Sequence, residues 1–354
     1  MRILTPIQAL SATAAIALLA ACSGGFTIAP RSVSPPAGAR FLMGRAPLAI
    51  SPIALLKFSA RIGTRTSHHN FIPYSCPAKG PIKYVSDTPG TIIYIYTGKF
   101  AGQAPCGQIT SGLLEPQGLY VKTSTHDLYV ANTGYFNVLV FHRGQTTAYN
   151  AYTDPTGQYP VDVTVAHDGT VIASNIISQV GGNGGSISTW IGGPNGGTFV
   201  GNFQMTNDME GLYITVQKNG TVYYNDIDNS YLGALWSLSC LAGACGAQTQ
   251  VAGVSFGFPG GMGSDETDDL LAVDQTGFTA DTFELPNPKP STFPLIDGPV
   301  GMAINQLDHH WITTRSFNCT AAEYIYPSGK LVGTVPSPAC GILEGVAIDP
   351  GHAR

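Results

Sequence analysis

The sequence predicts an all-β protein, a six-bladed β-propeller with four-stranded blades, its first blade closed by strands from both chain ends. Three observations carry this. A short phrase of alternating apolar residues recurs along the chain. Its anchors Gly118, Asp162, Gly211, Gly261, Gly301 and Gly345 are spaced 44, 49, 50, 40 and 44 residues apart. One copy is split between the two ends. Periods of about 40–50 residues are those of four-stranded blades. Beyond the N-terminal apolar run no stretch sustains helical periodicity, which excludes a helical solenoid.

Taken in order, the chain opens with a basic Met1-Arg2 and an apolar, small-residue run from Ile7 to Ala21, ending Leu19-Ala20-Ala21-Cys22-Ser23. That order is a secretory signal, and its ending resembles a lipobox. Residues 1–21 are expected to be removed and Cys22 lipidated, with ordinary cleavage after Ala21 as the alternative. Ser23 is not the Asp that retains lipoproteins at the inner membrane, so outer-membrane anchoring is expected. Residues 22–70 read as a tether interrupted by Pro30, Pro35, Pro36, Pro47 and Pro52 and carrying six Arg and Lys side chains; such a spacer is extended.

The propeller is expected over 71–354. Pro116-Gln117-Gly118-Leu119-Tyr120-Val121 reads as a first strand, Leu128 to Asn132 as a second and Asn137 to Phe141 as a third. The first and second strands recur at 162–165 and 171–175, 211–214 and 222–226, 261–262 and 270–274, and 301–304 and 310–314. Leu343 to Ile348 is a first strand with no second strand after it, and Lys83 to Asp87 a second strand with no first before it. Joining them completes a blade and leaves no open face.

Composition narrows the partners. Charged residues are 11%, against about 25% in an average domain. The formal net charge is −5 with no basic stripe, which argues against nucleic acid. A monomer is expected. Besides Cys22 there are Cys76, Cys106, Cys240, Cys245, Cys319 and Cys340, an even set that reads as disulfides in an exported protein. Six cysteines allow 15 pairings. The preferred ones are Cys240–Cys245 as a loop clip, Cys319–Cys340 within one repeat, and Cys76–Cys106 by analogy between repeats.

The phrases Pro-x-Gly-Leu-Tyr-Val and Leu-Tyr-Val-Ala-Asn-Thr-Gly resemble the NHL-repeat family and, more loosely, the gluconolactonase (senescence-marker-protein-like) superfamily, over roughly residues 80–350. The resemblance implies a propeller whose axial mouth is ringed by the residues before each first strand and after each second strand. The candidate ligand-binding residues are Gln117, Glu210, Glu344, Asn132, Asn175, Asp226 and Asp274. It further implies, as an alternative, a metal-dependent lactonase in which Glu344, Glu210 and Gln117 offer oxygen ligands to Ca²⁺ or another divalent cation. Val161, Gly260 and Val300 depart from that ligand pattern, and no catalytic residue is assigned. The leading expectation is a non-catalytic binding or scaffold module at the cell envelope for a glycan, peptide or protein partner.

Other motifs read as structural. Gly253-Val254-Ser255-Phe256-Gly257 has nucleophile-elbow spacing but no helix after it. The acidic run Asp265 to Asp269 reads as a solvated hairpin tip. His309-His310 lacks a third metal ligand. The aromatics Tyr120, Tyr129, Phe141, Tyr213, Tyr223 and Trp236 read as blade-to-blade packing.

Overall fold

A computed structural model describes residues 71–351 except 179–183, 206–209, 229–231, 266, 285–290, 296–297, 306–308, 316–318 and 339–341. The signal, tether and Cys22 expectations lie outside the described residues, as does Cys340.

The six expected blades are all present as antiparallel sheets. Blade 1 joins the chain's ends: β25 (Leu343–Asp349) pairs with β1 (Ile82–Asp87), followed by β2 (Ile92–Thr97) and β3 (Gly107–Ile109). Blade 2 is β4 (Pro116–Lys122), β5 (Asp127–Asn132), β6 (Asn137–Phe141) and β7 (Asn150–Thr153). Blade 3 is β8 (Gln158–Val165), β9 (Thr170–Ser178), β10 (Ser186–Ile191) and β11 (Thr198–Gln204). Blade 4 is β12 (Glu210–Val216), β13 (Thr221–Ile227), β14 (Gly233–Leu241) and β16 (Thr249–Phe256), with the short β15 (Ala244–Cys245) folded onto the end of β14. Blade 5 is β17 (Pro259–Ser264), β18 (Leu270–Asp274), β19 (Thr279–Phe283) and β20 (Ser291–Pro294). Blade 6 is β21 (Pro299–Asn305), β22 (His310–Arg315), β23 (Thr320–Ile325) and β24 (Lys330–Pro336). The inner strands β25, β4, β8, β12, β17 and β21 touch in that order and close a ring. The lateral core lies between successive blades. Tyr129, Tyr152 and Trp190, for example, share one cluster spanning blades 2 and 3.

Every inner strand breaks register against its neighbour near its mouth end. Pro116 and Leu119 oppose Asn132 and Val130, so Gln117 and Gly118 together face Ala131. Glu344-Gly345 face Ser86, Gly260-Gly261 face Val273, and Val300-Gly301 face Thr314. A bulge of this kind re-aims side chains and sharpens the bend. In blades 1, 2, 5 and 6 its second residue is glycine, because the next blade is too close for a side chain. A Cβ on Gly301 would sit 1.8 Å from the Glu344 carbonyl oxygen, and one on Gly345 2.0 Å from that of Gln117.

A polar side chain facing the bulge stitches many of these joints. Ser86 Oγ accepts from Gly345 N–H at 2.7 Å and donates to the Gln117 carbonyl of the next blade at 2.8 Å. Thr314 Oγ1 accepts from Gly301 N–H and donates to the Glu344 carbonyl. Asn225 accepts from Tyr213 N–H and donates to the Gly260 carbonyl. Ser174 Oγ donates to the Leu212 carbonyl. The blade 2–3 joint uses Thr133 Oγ1 on the Pro160 carbonyl at 2.6 Å instead, because Ala131 has nothing to offer.

Disulfides and one buried ion pair fasten the periphery. Cys76–Cys106 and Cys240–Cys245 form as expected, and Cys319 is disulfide-bonded. Bonded cysteines indicate an oxidising, exported environment. Among the described residues no helix is long and apolar enough to cross a membrane. Between blades 6 and 1, Glu323 accepts from Lys83 Nζ at 2.8 Å, from Phe100 N–H at 2.7 Å, and pairs with His310 Nδ1 at 2.8 Å. Burial pushes the Glu323 carboxyl up, but the Lys83 and Phe100 hydrogen bonds outweigh it and hold the group below its ordinary range.

Two outcomes follow. Glu323→Ala leaves Lys83 buried without this partner and is expected to cost about 3–5 kcal/mol in urea unfolding, whereas Lys83→Met with Glu323→Leu recovers most of that loss. Gly301→Ala forces backbone apart and is expected to cost more than about 3 kcal/mol. Gly246→Ala, where the nearest atom to a Cβ is 3.6 Å away, is expected to change stability by less than about 0.5 kcal/mol.

Candidate functional site

The bulges set one pair of residues per blade where neighbouring inner strands meet, and the register identifies them. The first positions are Glu344, Gln117, Val161, Leu212, Gly260 and Val300 in blades 1 to 6. The second are Gly345, Gly118, Asp162, Tyr213, Gly261 and Gly301. Blade 4 therefore departs from the sequence alignment by two residues. Gly211 pairs with Asp226 and Ile214 with Tyr224, so the bulge is Leu212-Tyr213 and not Glu210-Gly211. The stitch agrees: Leu212 supplies the carbonyl that Gln117, Gly260 and Glu344 supply elsewhere, and Tyr213 the N–H that Gly345 and Gly301 supply. Glu210 lies upstream of the ring opposite Ile227, with no exposed surface.

Two second positions that are not glycine carry axial side chains. Asp162 fills the space a Cβ on Gly118 would need, its Oδ1 lying 2.1 Å from that point. Its Oδ2 accepts at 3.0 Å from the N–H of Ile214, the residue that follows the bulge of blade 4. One carboxyl thus touches inner strands of blades 2, 3 and 4. Tyr213 stands next to it. Burial pushes the Tyr213 phenol well up, and the charges of Glu344 and Asp162 push it further. Sequence reasoning assigned Tyr213 to packing and Asp162 only to an anchor. The available signal was that Asp162 breaks a run of glycines.

The axial lining is asymmetric as a result. Glu344, Gln117, Asp162 and Tyr213 come from consecutive blades 1 to 4, while blades 5 and 6 present Gly260, Gly261, Val300 and Gly301. All four polar residues are buried, at 6%, 2%, 8% and 6% exposure. The Gln117 side-chain oxygen has no hydrogen-bond partner. Burial pushes the Glu344 carboxyl up to about 8, helped by the charges of Glu115 and Asp87. Burial likewise raises Asp162 to about 7, against the hydrogen bonds from Ile214 and Val163 N–H.

The residues after the second strands serve other ends. Asn132 accepts from Leu114 N–H and donates to the Gly112 carbonyl and Asn137. Asp274 accepts N–H groups from Gly257, Phe258, Thr276 and Gly277. Both close loops, as short polar side chains do at turns. Asn175 donates to Ser186 and Ser188 in a buried network that reaches Asp154 and Asn202. Asp226 is buried opposite Gly211 and Ala234.

The implied metal set does not fit as it stands. Glu210 is outside the ring that holds Glu344 and Gln117. Among the described residues no three His, Cys, Asp or Glu side chains group to hold a metal ion. The remaining motifs are structural: Ser255 lies on β16, the outermost strand of blade 4. Asp265 Oδ1 accepts from Thr267 and Asp269 N–H within its own turn.

The raised carboxyls set a pH dependence. A folded-state value above the unfolded one means the native state holds a proton that the unfolded chain gives up. Stability is then full below about pH 4 for these two groups and is lost as pH rises to about 8, by on the order of a few kcal/mol per group. Glu344→Gln is expected to unfold at a higher temperature than the parent at pH 8.5 and within about 1 °C of it at pH 4; thermal melts at the two pH values check this.

No known family profile matches the chain, and no curated protein matches it in sequence. Solved structures do resemble it. A chain of a nidogen/laminin complex aligns with TM-score 0.59 at 14% identity, over 76% of this chain and 98% of that one. A protein of unknown function from Bacteroides caccae gives 0.52 at 10%, over 76% and 98%. Hydrazine synthase from Kuenenia stuttgartiensis gives 0.52 at 12%, over 77% and 90%. At these identities the likeness is one of fold: the chain is a six-bladed β-propeller, alike in backbone to these proteins.

Proposed function

We propose that this chain is an exported, non-catalytic binding propeller that holds a segment of a peptide or protein partner at its axial mouth, anchored to the envelope through lipid on Cys22. The observation that supports it best is the half-ring of Glu344, Gln117, Asp162 and Tyr213 on blades 1 to 4, where blades 5 and 6 carry only Gly260, Gly261, Val300 and Gly301. Four polar groups on a rigid frame suit recognition of a protruding group. The mouth-side turn adds Tyr135, 55% exposed, beside Phe136 and Tyr159, whose rings meet edge to face at 4.7 Å. Amphipathic aromatics of this kind are favoured at interfaces.

A photo-crosslinking amino acid at Tyr135, on the mouth face, is compared with one at Leu331, on the outer strand β24 of blade 6. Irradiation with envelope fractions is expected to give discrete adducts at Tyr135 and none at Leu331. Equal labelling at both positions, or none at either, contradicts the reading.

A further inference from the structure

We propose that the axial half-ring is a site for an organic cation, the side-chain ammonium or guanidinium of a lysine or arginine on the partner, held by Glu344, Gln117, Tyr213 and Asp162. This rests on the binding reading above and names the group recognised.

Among the described residues no hydrogen bond reaches the carboxyl of Glu344, which is 6% exposed and whose backbone makes the stitch. The side-chain oxygen of Gln117, one blade over, is buried with no partner among the described residues. Native interiors rarely leave such acceptors empty, and both residues hold the first position of an inner-strand bulge. A donor-only group satisfies both, and lysine and arginine are the side chains that donate without accepting.

Charge points the same way. Glu115 and Asp87 face Glu344 and raise it, and Glu344 and Asp162 both raise Tyr213. Their field favours a positive guest, which in turn drives the carboxyls to ionise. Geometry separates the guest from a metal. A hard cation needs several oxygens converging on one point at about 2.3–2.6 Å, and among the described residues no three His, Cys, Asp or Glu side chains group to hold one. Acceptors spread over four successive blades instead suit a cation with several N–H donors pointing apart.

The test titrates the intact chain with Nα-acetyl-lysine methylamide, its norleucine counterpart, n-butylammonium and calcium chloride, by calorimetry from pH 6 to 8.5. The lysine probe is expected to bind at least tenfold more tightly than the norleucine one. Its affinity should rise with pH, by at most about tenfold per unit for one proton released. In Glu344→Gln the affinity falls at least tenfold while the protein melts at a temperature no lower than the parent's. Comparable binding of n-butylammonium also supports the site, with a free amine as its source. Equal affinity for norleucine, unchanged binding in Glu344→Gln, calcium binding without response to lysine, or no binding at all overturns it. Adducts at Tyr135 that persist in Glu344→Gln, alongside a silent lysine titration, would sink this inference and leave the binding reading standing.

Discussion

Close approach of six inner strands around one axis governs the rest of this molecule. At Gly301 and Gly345 the neighbouring blade's carbonyl lies about where a side chain would begin. The strands can meet only if each bulges and most carry glycine at the bulge. The bulge frees backbone N–H and carbonyl groups, and buried polar groups must find partners. Ser86, Thr314 and Asn225 supply them from the second strand, each bridging its own blade to the next. A packing constraint at the axis thus dictates both the glycines and the polar residues opposite them.

The same constraint decides where chemistry can sit. Where the approach is tightest nothing but backbone faces the axis. In blade 4 Tyr213 takes the position that glycine holds in four of the blades, and the Ile214 N–H beside it is taken by Asp162 of blade 3. The two departures thus meet: the residues that replace glycine at the second position belong to adjacent blades, joined by that hydrogen bond. With Glu344 and Gln117 they make a polar half-ring in which burial raises Glu344 and Asp162 and the charges of both raise Tyr213. That electrostatic setting favours a positive guest.

Much of the fold was legible in the sequence. The repeated phrase located the six inner strands, and the orphan strand Leu343 to Ile348 showed how the ring shuts. Cys240–Cys245 and Cys76–Cys106 were also readable, the first from its tight spacing and the second by repeat analogy. The site was harder. Alignment on Gly211 placed Glu210 beside Glu344 and Gln117, because glycine marks the bulge in most blades. In blade 4 the glycine stands two residues before the bulge's second position, and only strand register reveals it. Asn132, Asn175 and Asp274 looked like mouth residues because they end strands. Their hydrogen bonds go to loops and to a buried serine network, which composition cannot distinguish from a binding role.

The central claim is that the C-terminal strand Leu343–Asp349 pairs with Ile82–Asp87 and closes the ring that forms the mouth. Amide hydrogen exchange read by mass spectrometry tests this directly. The account predicts that peptides covering 82–87 and 343–349 exchange as slowly as those of β4 and β21, all opening together as one cooperative unit. Rapid exchange of 343–349 beside protected neighbours would mean the ring is not closed by that strand, and would contradict the account.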